Sequence, residues 1–118
     1  MSYDIQLFRI ETKEKQQQSN DKDFFDNQNN FEPFTEEQIQ NLTKRLLRYN
    51  YFLTAENQYG IHFQFEEEDN ISVLLTDSAL YFSATGEGIF EIGMTASEFT
   101  DTEEYAKYDS QNGGWEEL

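Results

Sequence analysis

Few side chains in this 118-residue sequence could do chemistry by themselves. It has one histidine, His62, and no cysteine. Disulfides and thiolate metal sites are therefore excluded. A lone histidine with no nucleophile pattern beside it reads as a surface residue rather than a base or a ligand. Carboxylates are the abundant reactive group. Asp26, Gln28, Asn30 and Glu37 fall at positions 1, 3, 5 and 12 of a calcium-loop template, but position 6 requires glycine and holds Phe31, and Pro33 interrupts the second half. Gly86-Glu87-Gly88 lacks the rest of the dinucleotide fingerprint and is flanked by acids, so it reads as a loop and not a phosphate cradle. Spacing alone thus marks no catalytic residue, no cofactor site and no metal site. An enzyme built here would have to use carboxylates brought together from distant positions, with any metal hard and oxygen-bound.

The acids also form a surface pattern. Residues 1–60 hold 10 acids and 7 bases, whereas residues 61–118 hold 14 acids and a single base, Lys107. The second half therefore carries −13 of the total −16. Such a surface repels nucleic acid and anionic membrane and attracts cationic proteins. Glu66, Glu67, Glu68, Asp69 and Asp77 are its densest part, expected at neighbouring turns, and they are the candidate contacts for a basic partner. Lys44, Arg45 and Arg48 run against this trend, but their place in the last turn of an expected helix suits the helix dipole.

A second candidate contact is aromatic. Phe24 and Phe25 sit inside the polar run from Thr12 to Asn30, and Trp115 lies near the end of the chain. Aromatic rings are enriched at interface hot spots. The plainer reading is that the rings fasten their segments to the domain.

The elements that must position these residues are read from hydrophobic period. Ile61, Phe63 and Phe65 alternate with His62, Gln64 and Glu66, which marks a half-buried strand. Polar pairs at Asp69-Asn70 and Asp77-Ser78 separate it from strands at 71–76 and 79–84, an antiparallel meander. Ser2 to Glu11 reads as a first strand apolar on both faces. Thr12 to Asn30 reads as a polar, mobile loop. A helix over 36–49 is signalled by a capping box from Thr35 to Gln38, a Phe34–Ile39 staple, and Asn50 just past its end. Tyr51 to Thr54 is a short strand.

From Ile89 to Phe99 two periods compete. Phe90, Ile92, Met94 and Ala96 alternate as a strand would, while Ile89, Ile92, Gly93, Ala96 and Phe99 form a helical stripe. The length favours a helix. A strand near 104–110 and an Asn112-Gly113 turn then fold Trp115 back. The expectation is one α+β domain spanning 1–118, in the order β-α-β-β-β-β-α-β, with an antiparallel sheet and both helices on one face.

Met-Ser-Tyr-Asp-Ile-x-Leu at the start and Tyr-Asp-x-Gln-x-Gly-x-Trp near the end resemble the termini of small bacterial proteins of unassigned function. Ser110 stands where those have proline. The resemblance covers about ten residues at each end and implies no site. The opening residues have no basic segment followed by an apolar one, and no apolar run nears the roughly 20 residues that cross a bilayer, so the expected location is the cytoplasm. In size and charge the chain is similar to small inhibitor or immunity-type proteins. The functional expectation is a small acidic module that binds a basic protein. The alternatives are a carboxylate-based enzyme, or a scaffold subunit marked by a large exposed apolar patch. The sequence leaves the oligomeric state open.

Overall fold

The alternation at Ile61, Phe63 and Phe65 is realised in a computed structural model that describes residues 2–67, 70–86 and 88–116. Phe63 and Phe65 are buried while Glu66 is exposed. This strand, β3 (Gly60–Phe65), is one of seven: β1 (Ser2–Arg9), β2 (Tyr51–Asn57), β4 (Ile71–Leu75), β5 (Leu80–Thr85), β6 (Tyr105–Asp109) and β7 (Gly114–Trp115). They make one sheet in the order β2-β3-β4-β5-β1-β6-β7. Each neighbouring pair is antiparallel. With three helices, α1 (Ile10–Gln18), α2 (Glu36–Arg48) and α3 (Gly88–Glu98), the architecture is α+β, as the sequence implies.

α2 begins where its cap dictates. Gln38 N donates to Thr35 Oγ1 at 3.1 Å, and Thr35 N donates to Gln38 Oε1 at 2.9 Å, so two backbone donors at the helix start are satisfied reciprocally. Asn50, at φ 71°, takes the left-handed conformation after the last turn. Leu42 and Leu46 of α2, with Ile92, Ala96 and Phe99 of the α3 segment, are fully buried against Ile5, Phe63 and Phe82 of the sheet. Each leucine, isoleucine or phenylalanine side chain so removed from water contributes about 1.5–3 kcal/mol. Both helices therefore cover one face.

The other face departs from expectation. The segment expected as a polar loop over 12–30 holds all but the first two residues of α1, followed by 3₁₀ turns at Phe24–Asp26 and Gln28–Asn30. The first strand accordingly ends at Arg9 rather than Glu11. Glu, Lys and Gln are good helix formers, and two side chains four residues apart tie the helix down. Thr12, fully buried, accepts from Glu32 N at 2.8 Å, and Gln16 accepts from Trp115 Nε1 at 2.8 Å. Phe8 of β1 projects to this side, where Phe24, Phe31 and Ala79 bury a second, smaller core with it. Strand β1 is thus covered on both faces.

Candidate functional site

The residues proposed from sequence do not gather into one surface. Glu66 and Glu67 are exposed in the turn between β3 and β4, where Glu66 N donates to Asn50 O at 2.8 Å. Glu68 and Asp69 lie outside the described residues. Asp77, expected beside them, is exposed in the turn between β4 and β5. That turn is at the opposite end of the sheet, because consecutive turns of an antiparallel meander alternate ends. A five-residue strand, β4, separates the two, and at about 3.4 Å per residue this is roughly 17 Å. Asp77 also has a structural task, since its carbonyl accepts from Phe34 N at 2.8 Å.

The aromatic candidates are on the face away from α2 and α3. Phe24 is buried at 4% exposure, which corrects its place among contact residues: its ring fills the second core instead. Phe25 and Trp115 are half-buried beside it, with ring centroids 6.1 Å apart. Phe25 stacks closest on Tyr108, at 4.5 Å. The plainer reading, rings fastening a segment to the domain, describes Phe24 fully and Phe25 and Trp115 in large part.

The strongest surface feature is one that the sequence candidates omitted. A groove of about 510 Å³ runs between α3 and the strands β1 and β6. Its lining includes Tyr3, Ile5, Phe90, Gly93 and Met94, with the exposed Glu98 and the buried Lys107 and Asp109. Phe90 is 74% exposed and Met94 is 46% exposed, while Ile92 and Ala96 of the same helix are fully buried. α3 is therefore apolar on two sides. This explains the competing periods over 89–99. Ile92, Ala96 and Phe99 of the helical stripe account for the buried side, Ile89 and Gly93 border the groove, and Phe90 and Met94, which the stripe leaves over, complete the strand pattern. The leftover residues were the signal.

The groove is held by two polar ties. Lys107 Nζ donates to Gly93 O at 3.0 Å, to Ser97 Oγ at 2.9 Å and to Glu116 Oε2 at 3.0 Å. Ser97 Oγ in turn donates to Glu116 Oε2 at 2.8 Å. All three ammonium protons are thereby used, joining α3, β6 and the chain after β7. Burial alone would raise the Glu116 carboxyl, but the hydrogen bonds from Ser97 and Lys107 and the lysine charge hold it below its ordinary value. The only base of residues 61–118 is thus spent inside the fold.

The second tie links the two ends of the chain. Tyr3 OH donates to Asp109 Oδ2 at 2.6 Å, and Asp4 N donates to Gln111 Oε1 at 3.4 Å. Burial, and then the Asp109 carboxylate, push the Tyr3 phenol up to about 12. Asp109 also accepts from Gln111 N at 3.2 Å, and Gly113 has φ 93°. Tyr3 and Asp4 are thereby joined to Asp109 and Gln111, and Gly113 closes the turn into β7.

Other candidates are accounted for by local contacts. Arg45 makes a two-pronged pair with Asp101, at 2.8 and 3.3 Å, and lies 4.5 Å from the Phe99 ring centre. It clamps α2 to the end of α3, a task beyond the helix-dipole role expected for it. His62 is half-buried, with Nε2 3.2 Å from the Asn57 amide. Among the described residues, no group of three or more His, Asp or Glu side chains is placed to hold a metal ion. No described helix is long and apolar enough to cross a membrane. No protein-family description matches this chain, and neither the curated proteins nor the solved structures contain a match.

Proposed function

We propose that the protein is an acidic binding module whose α3 groove receives an apolar side chain or two from a cationic protein segment. An inhibitor or immunity-type role toward a basic protein is the specific form of this reading. The observation that carries it is the exposure of Phe90 and Met94 within the half of the chain that holds 14 acids and one base. Exposed apolar groups set in a polar, charged surface are the makings of an interface core. Lys107 is committed to Glu116, so it offers no counter-charge to the groove. Glu66 and Glu67 lie near the same end of the sheet as the start of α3. A Cβ placed on Gly88 would come within 2.7 Å of Ile71 Cγ1 and 3.1 Å of the Asn70 side chain, which shows how closely that turn abuts the helix. Asp77, at the far end, belongs to no part of this surface.

The test compares the native protein with a Phe90→Glu, Met94→Glu double variant as baits at low salt. A basic protein held by the first and not by the second is then purified and titrated at two salt concentrations. The expected result is binding weakened about a hundredfold by the double substitution, a hot-spot-sized loss. Affinity should also fall as salt rises. Salt-independent affinity, or capture indifferent to both substitutions, would overturn the reading. Thermal melts of the two baits should coincide, because both side chains are exposed.

A further inference from the structure

A second exposed apolar patch lies at the far margin of the sheet. β2 is the outermost strand and is paired on one side only, by β3. Every residue of β2 after Tyr51 is exposed, including Phe52 at 47% and Leu53 at 50%. The register sets Phe52 opposite Gln64 and Leu53 opposite Phe63, so each face of this margin carries an apolar side chain. Leu47 of α2 is also exposed. It lies about 200° around the helix from Arg45, which is turned toward α3, and so it projects from the side of α2 away from α3.

Edge strands are ordinarily guarded by lysine, proline, a bulge or a covering element. β2 contains no lysine and no proline. Among the described residues its outer side is uncovered. Its one guard is a register shift between Leu53 and Ala55, where Thr54 Oγ1 donates to His62 O at 3.2 Å, and this leaves Tyr51 to Leu53 in regular register. The charge pattern completes the picture. Residues 36–60, which build α2, β2 and the turn into β3, hold three acids and three bases, so the whole surplus of −16 lies outside them.

We propose that a second copy of this chain pairs with β2 in antiparallel fashion across a twofold axis, with Leu47, Phe52 and Leu53 of both copies packed over the joint. An edge that meets its own copy antiparallel closes after two subunits, which forms a dimer and no filament. Two chains that each carry −16 can approach closely only where local charge is low, and the stretch with no net charge contains this apolar edge, with Glu66 bordering its start at Asn50. A cationic strand would gain nothing from a neutral margin and would be drawn to the acidic half instead. The remaining charges still repel, so added salt should tighten the dimer. This is opposite in sign to the salt effect at the α3 groove, so either proposal can fail without the other.

Sedimentation velocity over a wide concentration range at low and high salt is the primary test. The expected result is a monomer–dimer equilibrium that shifts toward dimer as salt rises. Leu53→Lys should weaken it about a hundredfold, because a twofold interface feels each substitution twice. Should Leu53→Lys melt early, Phe52→Lys carries the same reading. The native chain has no cysteine, so Leu53→Cys treated with a short bismaleimide should give a covalent dimer while Phe90→Cys should not. A monomer at every concentration in both salts, a dimer indifferent to these lysines, or crosslinking through position 90 would each overturn the proposal.

Discussion

Phe90 and Met94 beside the α3 groove, and Phe52 and Leu53 on β2, are exposed to similar extents, apart from the still more open Phe90. Their surroundings differ sharply. The first pair belongs to a half of the chain with net charge −13, the second to a stretch of 25 residues, 36–60, with none. Exposed apolar area would supply the energy of association in either place, but by itself it says nothing about which partner would arrive. Local charge makes that choice. In the two proposals, a groove set in the acidic half would favour a basic protein over a second copy, whereas an edge of no net charge would tolerate a copy of the same acidic chain.

The comparison is broken most severely by removing the frame of the acidic patch. Lys107→Ala deprives Glu116 and the Gly93 carbonyl of their shared donor in a site where the lysine side chain is 11% exposed. The expected loss is about 2 kcal/mol in a urea melt, the cost of stranding buried partners. The pH dependence follows from Glu116. Its carboxyl is held below the ordinary value of 4.5 in the folded state. Its contribution is therefore present above that value and is lost as pH falls through the lowered one. The native protein should lose stability more steeply than the variant below pH 4.5, so that the gap between them narrows in acid. Parallel acid profiles would show that this ion pair contributes nothing. Groove binding should suffer in the variant while β2 self-association stays unchanged.

A smaller effect sharpens the neutral side. Thr35→Ala removes the hydroxyl that caps α2, the helix that carries Leu47, and should lower stability by about 1 kcal/mol. The urea midpoint should fall, and dimerisation should weaken slightly as the start of α2 loosens. Binding at the groove should not change. An unchanged midpoint would mean that α2 does not depend on the capping box.

The smallest expected effect is kinetic. Glu67→Lys, at the groove end of the sheet, should slow association of a cationic partner a few-fold at low salt, with the rates converging at high salt. Asp77→Lys changes the charge equally but at the opposite end, and should slow association less. Equal slowing by the two would mean that the field of the whole molecule steers the partner and the groove end has no privilege. Stopped-flow association at two ionic strengths distinguishes these outcomes.

Much of the fold was legible because its signals are local. The Thr35–Gln38 box, the left-handed Asn50, the Asp77-Ser78 turn and the Gly113 turn each involve residues within a few positions of one another. α1 is not legible, because its polar composition fits a loop as well as a helix and its helix-forming residues have no amphipathic stripe to reveal them. The contacts that secure α1 come from Glu32 and Trp115, 20 and 99 residues away from Thr12 and Gln16. The candidate site was legible in part. The doubled period over 89–99 already held Phe90 and Met94 as residues that a helical stripe leaves over. The separation of Asp77 from Glu66 and Glu67 follows from the meander itself, since successive turns alternate ends.

The sequence alone therefore determined most of the strands and helices, α1 apart, and where the charge lies along the chain. These depend on period, capping and composition, all short-range or additive properties. Tertiary structure alone decided that β1 lies between β5 and β6, and that α3 leaves a groove beside them. It also decided that Lys107 is consumed by Glu116 and that β2 is left at the margin. The reason is physical. Strand order and groove walls are set by packing between residues about a hundred positions apart, as with Tyr3 and Asp109. No local pattern records which distant partner a side chain will meet.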